Sequence, residues 1–287
     1  MMICIQKEIQ QEYHPVHRKK TTRIVLGGFG NVGSQIAGRL ADDPDIEIVA
    51  IVARDVFKTS EKVKSLGMDI PVITADQAPE FNAVLVECAT FEGFRAVVEP
   101  TLRAGGHVLA VSVGALSANM DLIDLTKAAG ATLQIAGGTL PGLDIIRAAS
   151  EGRIRSVTLT SHIHPASFAH EPFIKENGID LGPSELGPID ILNGSARDAA
   201  KHFPRHFNVA VTLALAGIGL DRTQVHIKAD GTLPGARHRL TVVSDAVELD
   251  MVSQNFPSPE NNRTSQVVAL SILAALRRLQ GGLLIGS

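Results

Sequence analysis

The run Gly28-Phe29-Gly30-Asn31-Val32-Gly33 sets three glycines at the spacing of a loop that holds a diphosphate. The first permits a tight turn, the second lets a ligand reach the main chain without meeting a Cβ, and the third lets the next helix lie close to its strand. Peptide dipoles at the start of that helix then face the phosphates. Glycines gather in many loops, so the setting matters: this run follows the apolar segment Arg23-Ile24-Val25-Leu26-Gly27 and opens a helical stretch, Val32 to Leu40. A second apolar strand, Ile46 to Ala53, ends about twenty residues further on in Arg54-Asp55. A carboxylate there suits a ribose 2′-hydroxyl and an arginine suits a 2′-phosphate, so the pair admits NAD or NADP.

Ligands of an open parallel sheet lie beyond the carboxyl ends of its strands, which selects Ala89-Thr90, Val113-Gly114-Ala115 and Gly137-Gly138-Thr139. Their small side chains suit close approach to a flat ring, or simple tight packing. Cys88 ends a strand and reads as a small buried hydrophobe rather than a nucleophile. His162 and His164 would share one strand face, but no third residue stands at a persuasive spacing, and no metal is expected. His238, one of ten histidines, follows the loop Gly231 to Gly235 at the head of a strand, as a surface residue or as an acid/base group.

The elements that must carry these residues follow from periodicity. Apolar strands at 23–27, 46–53, 72–74, 83–88, 107–113 and 132–135 alternate with helical stretches near 60–66, 93–104 and 122–129, which describes a parallel sheet buried on both faces. Beyond Thr139 the pattern turns to period two, at 156–162, 225–228, 239–243 and 247–252, as in a mostly antiparallel open sheet with one exposed face. Helices at 195–203 and 209–217 interrupt it, and a long Gly/Pro-rich connection runs from Pro165 to Gly194. A last helix is capped by Thr264-Ser265, complemented by Arg277 and Arg278 and ended by Gly281-Gly282. The expected fold is α/β: a doubly wound Rossmann domain at 22–139, completed by 263–287, and a second α+β domain at 140–262. Residues 1–21 show no period and read as a flexible extension, with Arg18-Lys19-Lys20 a solvated arm.

Composition narrows the partners. A net charge of −3, no Trp and one Tyr give neither the field nor the stacking platforms of a nucleic-acid binder. No apolar stretch approaches the roughly 20 residues that span a bilayer, and the first residues lack a secretory apolar core. Two cysteines, Cys4 and Cys88, form no disulfide framework, which points to a reducing compartment and a cytoplasmic protein.

Several short runs resemble the L-aspartate dehydrogenase family: Val86-Glu87-Cys88-Ala89, Ser112-Val113-Gly114-Ala115-Leu116, Gly142-Leu143-Asp144, Gly194-Ser195-Ala196-Arg197, Phe203-Pro204, Asn208-Val209-Ala210 and Asn262-Arg263-Thr264-Ser265. The resemblance covers everything after the N-terminal arm. It implies NAD(P)-dependent deamination of L-aspartate to iminoaspartate, which hydrolyses to oxaloacetate and ammonia or passes toward NAD biosynthesis, in a homodimer. The family's catalytic histidine falls on His238, and cofactor contacts fall on Thr139 and Asn208, although Asn208 can equally be a helix cap. An imidazole titrating near neutrality would accept the proton of the water that attacks the imine. One departure bears on the substrate: where relatives have a basic Arg-Lys-Pro-Pro segment, this chain has His162-Ile163-His164-Pro165. A dicarboxylate needs cationic partners, and Arg197 and Arg205 are the remaining candidates. Another amino or imino acid as substrate, or cofactor binding without turnover, are the alternatives.

Overall fold

The computed structural model describes residues 21–182, 187–258, 261–281 and 283–285, the side chains of 261–264 excepted. The predicted extension through residue 20, its basic run Arg18-Lys19-Lys20, and a capping side chain at Thr264 lie outside the described residues.

Six parallel strands form the first sheet: β1 Thr22–Gly27, β2 Ile46–Val52, β3 Val72–Ile73, β4 Val84–Glu87, β5 His107–Ala110 and β6 Thr132–Ile135. Their order is β3-β2-β1-β4-β5-β6, so the direction of winding reverses between β1 and β4 and opens a crevice at the carboxyl ends of those strands. Ile24, Val25, Leu26, Leu85 and Val86 are buried in consecutive runs, as a sheet covered on both faces requires. The connecting helices are α1 Asn31–Leu40, α2 Val56–Ser65, α3 Phe94–Arg103, the single turn α4 Val113–Leu116, and α5 Asp121–Ala128. The fifth strand stops at Ala110, short of the predicted Val113. The next two amides, of Val111 and Ser112, turn instead to the carboxylate of Glu87, at 3.0 and 2.9 Å.

The second sheet comprises β7 Ile154–Ile163, β8 Ile189–Ser195, β9 Gln224–Ala229, β10 Arg237–Ser244 and β11 Glu248–Gln254, in the order β11-β10-β7-β9-β8. Every other residue of β10 points inward, namely His238, Leu240, Val242 and Ser244. Helix α6 Leu143–Ser150 covers the inner face; after the short α7 Pro172–Glu176, so do α8 Ala196–His202 and α9 Asn208–Ala216. Phe203 stands edge-on to Phe168 and Phe207, with centroids 5.6 and 5.7 Å apart, at the centre of this core.

Two features differ from expectation. β7 pairs with β9 in parallel, so the sheet is mixed; period two is shared by both pairings and does not encode direction. The supposed loop from Pro165 to Gly194 contains α7 and most of β8, whose alternation is hidden by a register shift between Asp190 and Leu192.

After the short strands β12 Pro257–Ser258 and β13 Asn261–Ser265, helix α10 Gln266–Arg278 returns to the first sheet. Its Ile272 and Leu276, fully buried, join Ile36 and Leu40 of α1, and burial of each contributes roughly 1.5–3 kcal/mol. Arg277, expected to serve the helix dipole, donates Nη1 to Asp43 Oδ1 at 3.0 Å and so ties the end of α10 to the turn before β2.

Candidate cofactor and active site

The glycine run folds into the turn between β1 and α1. Gly28 has φ 120°, and a Cβ there would lie 2.9 Å from the Cys88 carbonyl oxygen. A Cβ at Gly33 would lie 2.2 Å from the carbonyl oxygen of Gly28, so helix and turn touch with no room between them. Gly30 is different. Its φ is −78° and a Cβ there meets nothing within 4 Å among the described residues, so neither steric contact nor φ calls for glycine. Gly30 is also the N-cap of α1, with no side-chain cap and no acidic residue in the first turn. The amides at this helix start are therefore left for an anion. Asn31 adds a buried Nδ2 without a partner. Phe29 packs into the core, and Lys62 of α2 donates to its carbonyl oxygen at 3.0 Å while lying 5.1 Å from its ring centroid. Val32 packs at the edge of the same core.

At the end of β2, Arg54 is exposed and has no hydrogen bond or ion pair among the described residues. Asp55 is the N-cap of α2, its Oδ1 accepting the Lys58 N–H at 2.9 Å.

Beyond β4 and β5, Ala89, Thr90, Ser112, Ala115, Asn208 and Arg205 surround a cavity of about 460 Å³. Glu87 holds two of these residues, Ala89 and Ser112, by their amides. The carboxylate is fully buried, with Oε1 accepting the Ala89 N–H at 2.7 Å and Oε2 accepting those of Val111 and Ser112. Ser112 Oγ closes the arrangement by donating to the Ala89 carbonyl oxygen at 3.0 Å. Burial pushes the carboxyl up, and hydrogen bonds from the three amides and Ser112 pull against it. Burial, reinforced by Glu87, also pushes the neighbouring Cys88 thiol well above its ordinary value, which makes it a poor nucleophile. Asn208 does not cap α9, since Phe207 holds that place. Its Oδ1 instead accepts the Gly114 N–H at 2.7 Å and fixes α4 against α9.

His238 is the second residue of β10 and only 4% exposed, opposite Ser161 on one side and Ser253 on the other. Its Nδ1 is 3.0 Å from Ser161 Oγ. Ser253 Oγ donates to the Thr139 carbonyl oxygen at 3.2 Å and receives Asn255 Nδ2, so Ser253 links the strand beside His238 to the turn after β6. Thr139 Oγ1 is buried without a partner. Burial lowers His238 from its ordinary 6.5 to about 4, and nearby His162 acts in the same direction. That direction runs against the expectation of an imidazole titrating near neutrality and favours the neutral ring. His162 Nδ1 is bound to the buried Asp230 at 2.9 Å.

Four buried side-chain atoms among the described residues lack a partner, on Asn31, Thr101, Thr139 and Gln280. Two belong to positions expected to touch a cofactor. The other two line a separate hollow at the amino end of the first sheet, the end away from ligands in such folds. Sequence reasoning missed Glu87, Lys62, Ser161 and Ser253. Ser161 left a trace as an inward position of an alternating strand, and Glu87 only as a member of the run Val86-Glu87-Cys88-Ala89.

The chain matches two family models: the aspartate dehydrogenase C-terminal family over residues 144–279, and the NAD-binding domain of homoserine dehydrogenase over residues 28–136. It is 38% identical to an L-aspartate dehydrogenase of Bradyrhizobium diazoefficiens, over 92% of this chain and 94% of that protein. An L-aspartate dehydrogenase of Methanococcoides burtonii is 33% identical, over 92% and 99% of the two chains. Among solved structures, aspartate dehydrogenase from Thermotoga maritima superposes with a TM-score of 0.66 at 21% identity, covering 93% of this chain and 99% of that one. With the fold, its two sheets and nearly the whole length thus matched, the chain belongs to the L-aspartate dehydrogenase family.

Proposed function

We propose that this protein oxidises L-aspartate with NAD or NADP to iminoaspartate, which hydrolyses to oxaloacetate and ammonia. The observation that carries the cofactor half of this reading is Gly30, a glycine that no steric contact among the described residues requires, set at a helix start without a side-chain cap. The amides of α1 would hold the diphosphate, with Asn31 Nδ2 and Thr139 Oγ1 as donors waiting for acceptors. Arg54 and Asp55 would meet the adenosine ribose; Ala89, Thr90, Gly114, Ala115 and Asn208 would frame the ring beyond β4 and β5. A bound nicotinamide supplies the acceptor for the hydride that leaves the substrate Cα.

His238 would take the proton of the water that adds to the imine carbon. For Nε2 to accept it, Nδ1 must carry the ring hydrogen and donate it to Ser161 Oγ, which also fixes the ring. A neutral imidazole is the form that can accept a proton, and burial keeps it so. Glu87 acts one step removed, by positioning the two loops that frame the cavity.

The domain division at residues 139–140, with 263–287 returning to the first unit, and a cytoplasmic homodimer feeding NAD biosynthesis complete the proposal. The return of α10 to α1 supports the division. Exposed apolar side chains at Val252 and Phe256, at and just beyond the end of edge strand β11, are consistent with a second copy, and sedimentation tests it. The reaction itself is tested by offering a panel of amino acids with each cofactor and measuring reduced cofactor, ammonia and oxo acid. Aspartate is expected to give all three in equal amounts. Faster turnover of another amino acid would favour the second reading, which the absence of Arg and Lys from residues 162–165 motivates.

A further inference from the structure

A dicarboxylate substrate needs a fixed cation, and residues 162–165 supply only histidines. Of the two arginines open from sequence, Arg197 is committed elsewhere. It grips Asp221 with two parallel bonds, Nε to Oδ1 at 2.5 Å and Nη2 to Oδ2 at 2.8 Å, and does not border the cavity beyond β4 and β5. Arg205, on the turn between α8 and α9, does border it, as do Asn208, Thr90 and Ser112. Among the described residues its guanidinium makes one bond to a carboxylate, Nη2 to Glu92 Oε1 at 2.5 Å, leaving the rest of the donor fork for another acceptor. Glu92 borders the same cavity, on the loop that follows β4. Both side chains are more than half exposed, 69% and 58%, and ion pairs so wetted exchange partners readily. The pair thus crosses the cavity wall from one sheet's loop to the other sheet's helices, with a carboxylate already seated on the arginine.

We infer that Arg205 binds the side-chain carboxylate of the substrate, and that Glu92 occupies Arg205 as an internal stand-in which the substrate displaces. The inference rests on the aspartate reading, and its test separates the two. Steady-state kinetics with L-aspartate are combined with calorimetry of succinate, a dicarboxylate without an amine to oxidise, on protein saturated with reduced cofactor. Arg205→Gln is expected to raise KM for aspartate about tenfold or more and to weaken succinate to match, with the Kd of the cofactor unchanged. Glu92→Gln is expected to act the other way, lowering KM and tightening succinate severalfold, because no internal anion competes. A wild-type KM in Arg205→Gln, or a cofactor Kd that weakens in step with KM, overturns the assignment. So does weaker succinate binding in Glu92→Gln, an arm that decides the matter even where the arginine variant fails to fold. If the wild-type protein reduces no cofactor with aspartate, the functional reading fails, while the succinate arms still report on Arg205.

Discussion

Replacing Gly30 by alanine separates what the fold needs from what a ligand needs. The added Cβ meets no atom within 4 Å among the described residues and the backbone angle is one that any residue adopts, so the ligand-free protein should change little in stability. Alanine restricts the unfolded chain, worth about 0.4–1 kcal/mol, but is a poorer helix N-cap than glycine by a comparable amount, so the two offset each other to within about 1 kcal/mol. The diphosphate, by contrast, must retreat from the amides of α1 by roughly a methyl radius. Loss of one charge-assisted hydrogen bond costs about 1.5–3 kcal/mol, a fall in affinity of roughly ten- to a hundredfold. Gly33→Ala is the contrasting variant, because its Cβ would lie 2.2 Å from a carbonyl oxygen and the turn must open to admit it. Thermal unfolding of both ligand-free variants, with calorimetry of NAD and NADP, gives the comparison. Undiminished cofactor affinity in Gly30→Ala, or a loss of stability equal to that of Gly33→Ala, would refute the reasoning.

Three further outcomes are expected. Arg54→Ala should weaken NADP about tenfold and leave NAD nearly unchanged, since Arg54 is unengaged among the described residues while Asp55 already caps α2; equal effects on both would remove Arg54 from the 2′-position. His238, lowered from 6.5 to about 4, leaves the unfolded chain holding more protons between those values, so its share of stability is present above pH 6.5 and lost as pH falls toward 4. That share is roughly 3 kcal/mol, and His238→Gln should flatten the acid limb of a urea-midpoint-against-pH curve while removing turnover. Glu87→Gln sets an amide NH2 where one oxygen accepts a backbone N–H and should cost about 1–3 kcal/mol by chemical denaturation, with cofactor affinity falling too; an unchanged midpoint would show that the carboxylate holds nothing in place.

The first sheet was legible because strands buried on both faces leave unbroken apolar runs, and the glycine turn between Gly27 and Asn31 marks where the ligand end begins. Glu87 was not. Within the apolar strand expected at 83–88 it drew no reading of its own, and only the turn of Val111 and Ser112 toward it shows a buried clamp. Sequence reasoning stopped instead at Cys88, the more reactive type in name and the inert one in place. His238 was found through family resemblance, but its depth was not, since burial depends on strands Ser161 and Ser253 that pair from 77 residues before and 15 after it. Asn208 shows the same limit: a helix start invites a cap, and whether its oxygen turns to its own helix or to Gly114 is a tertiary fact. The choice between Arg197 and Arg205 was likewise invisible until Asp221 and Glu92 were placed beside them.

The most direct test of aspartate oxidation at this site is to supply L-aspartate deuterated at Cα and weigh the reduced cofactor by mass spectrometry. One deuterium in each molecule of reduced NAD or NADP, formed in step with ammonia, is the expected result. Reduced cofactor carrying no label, or none formed with either nucleotide, would contradict it.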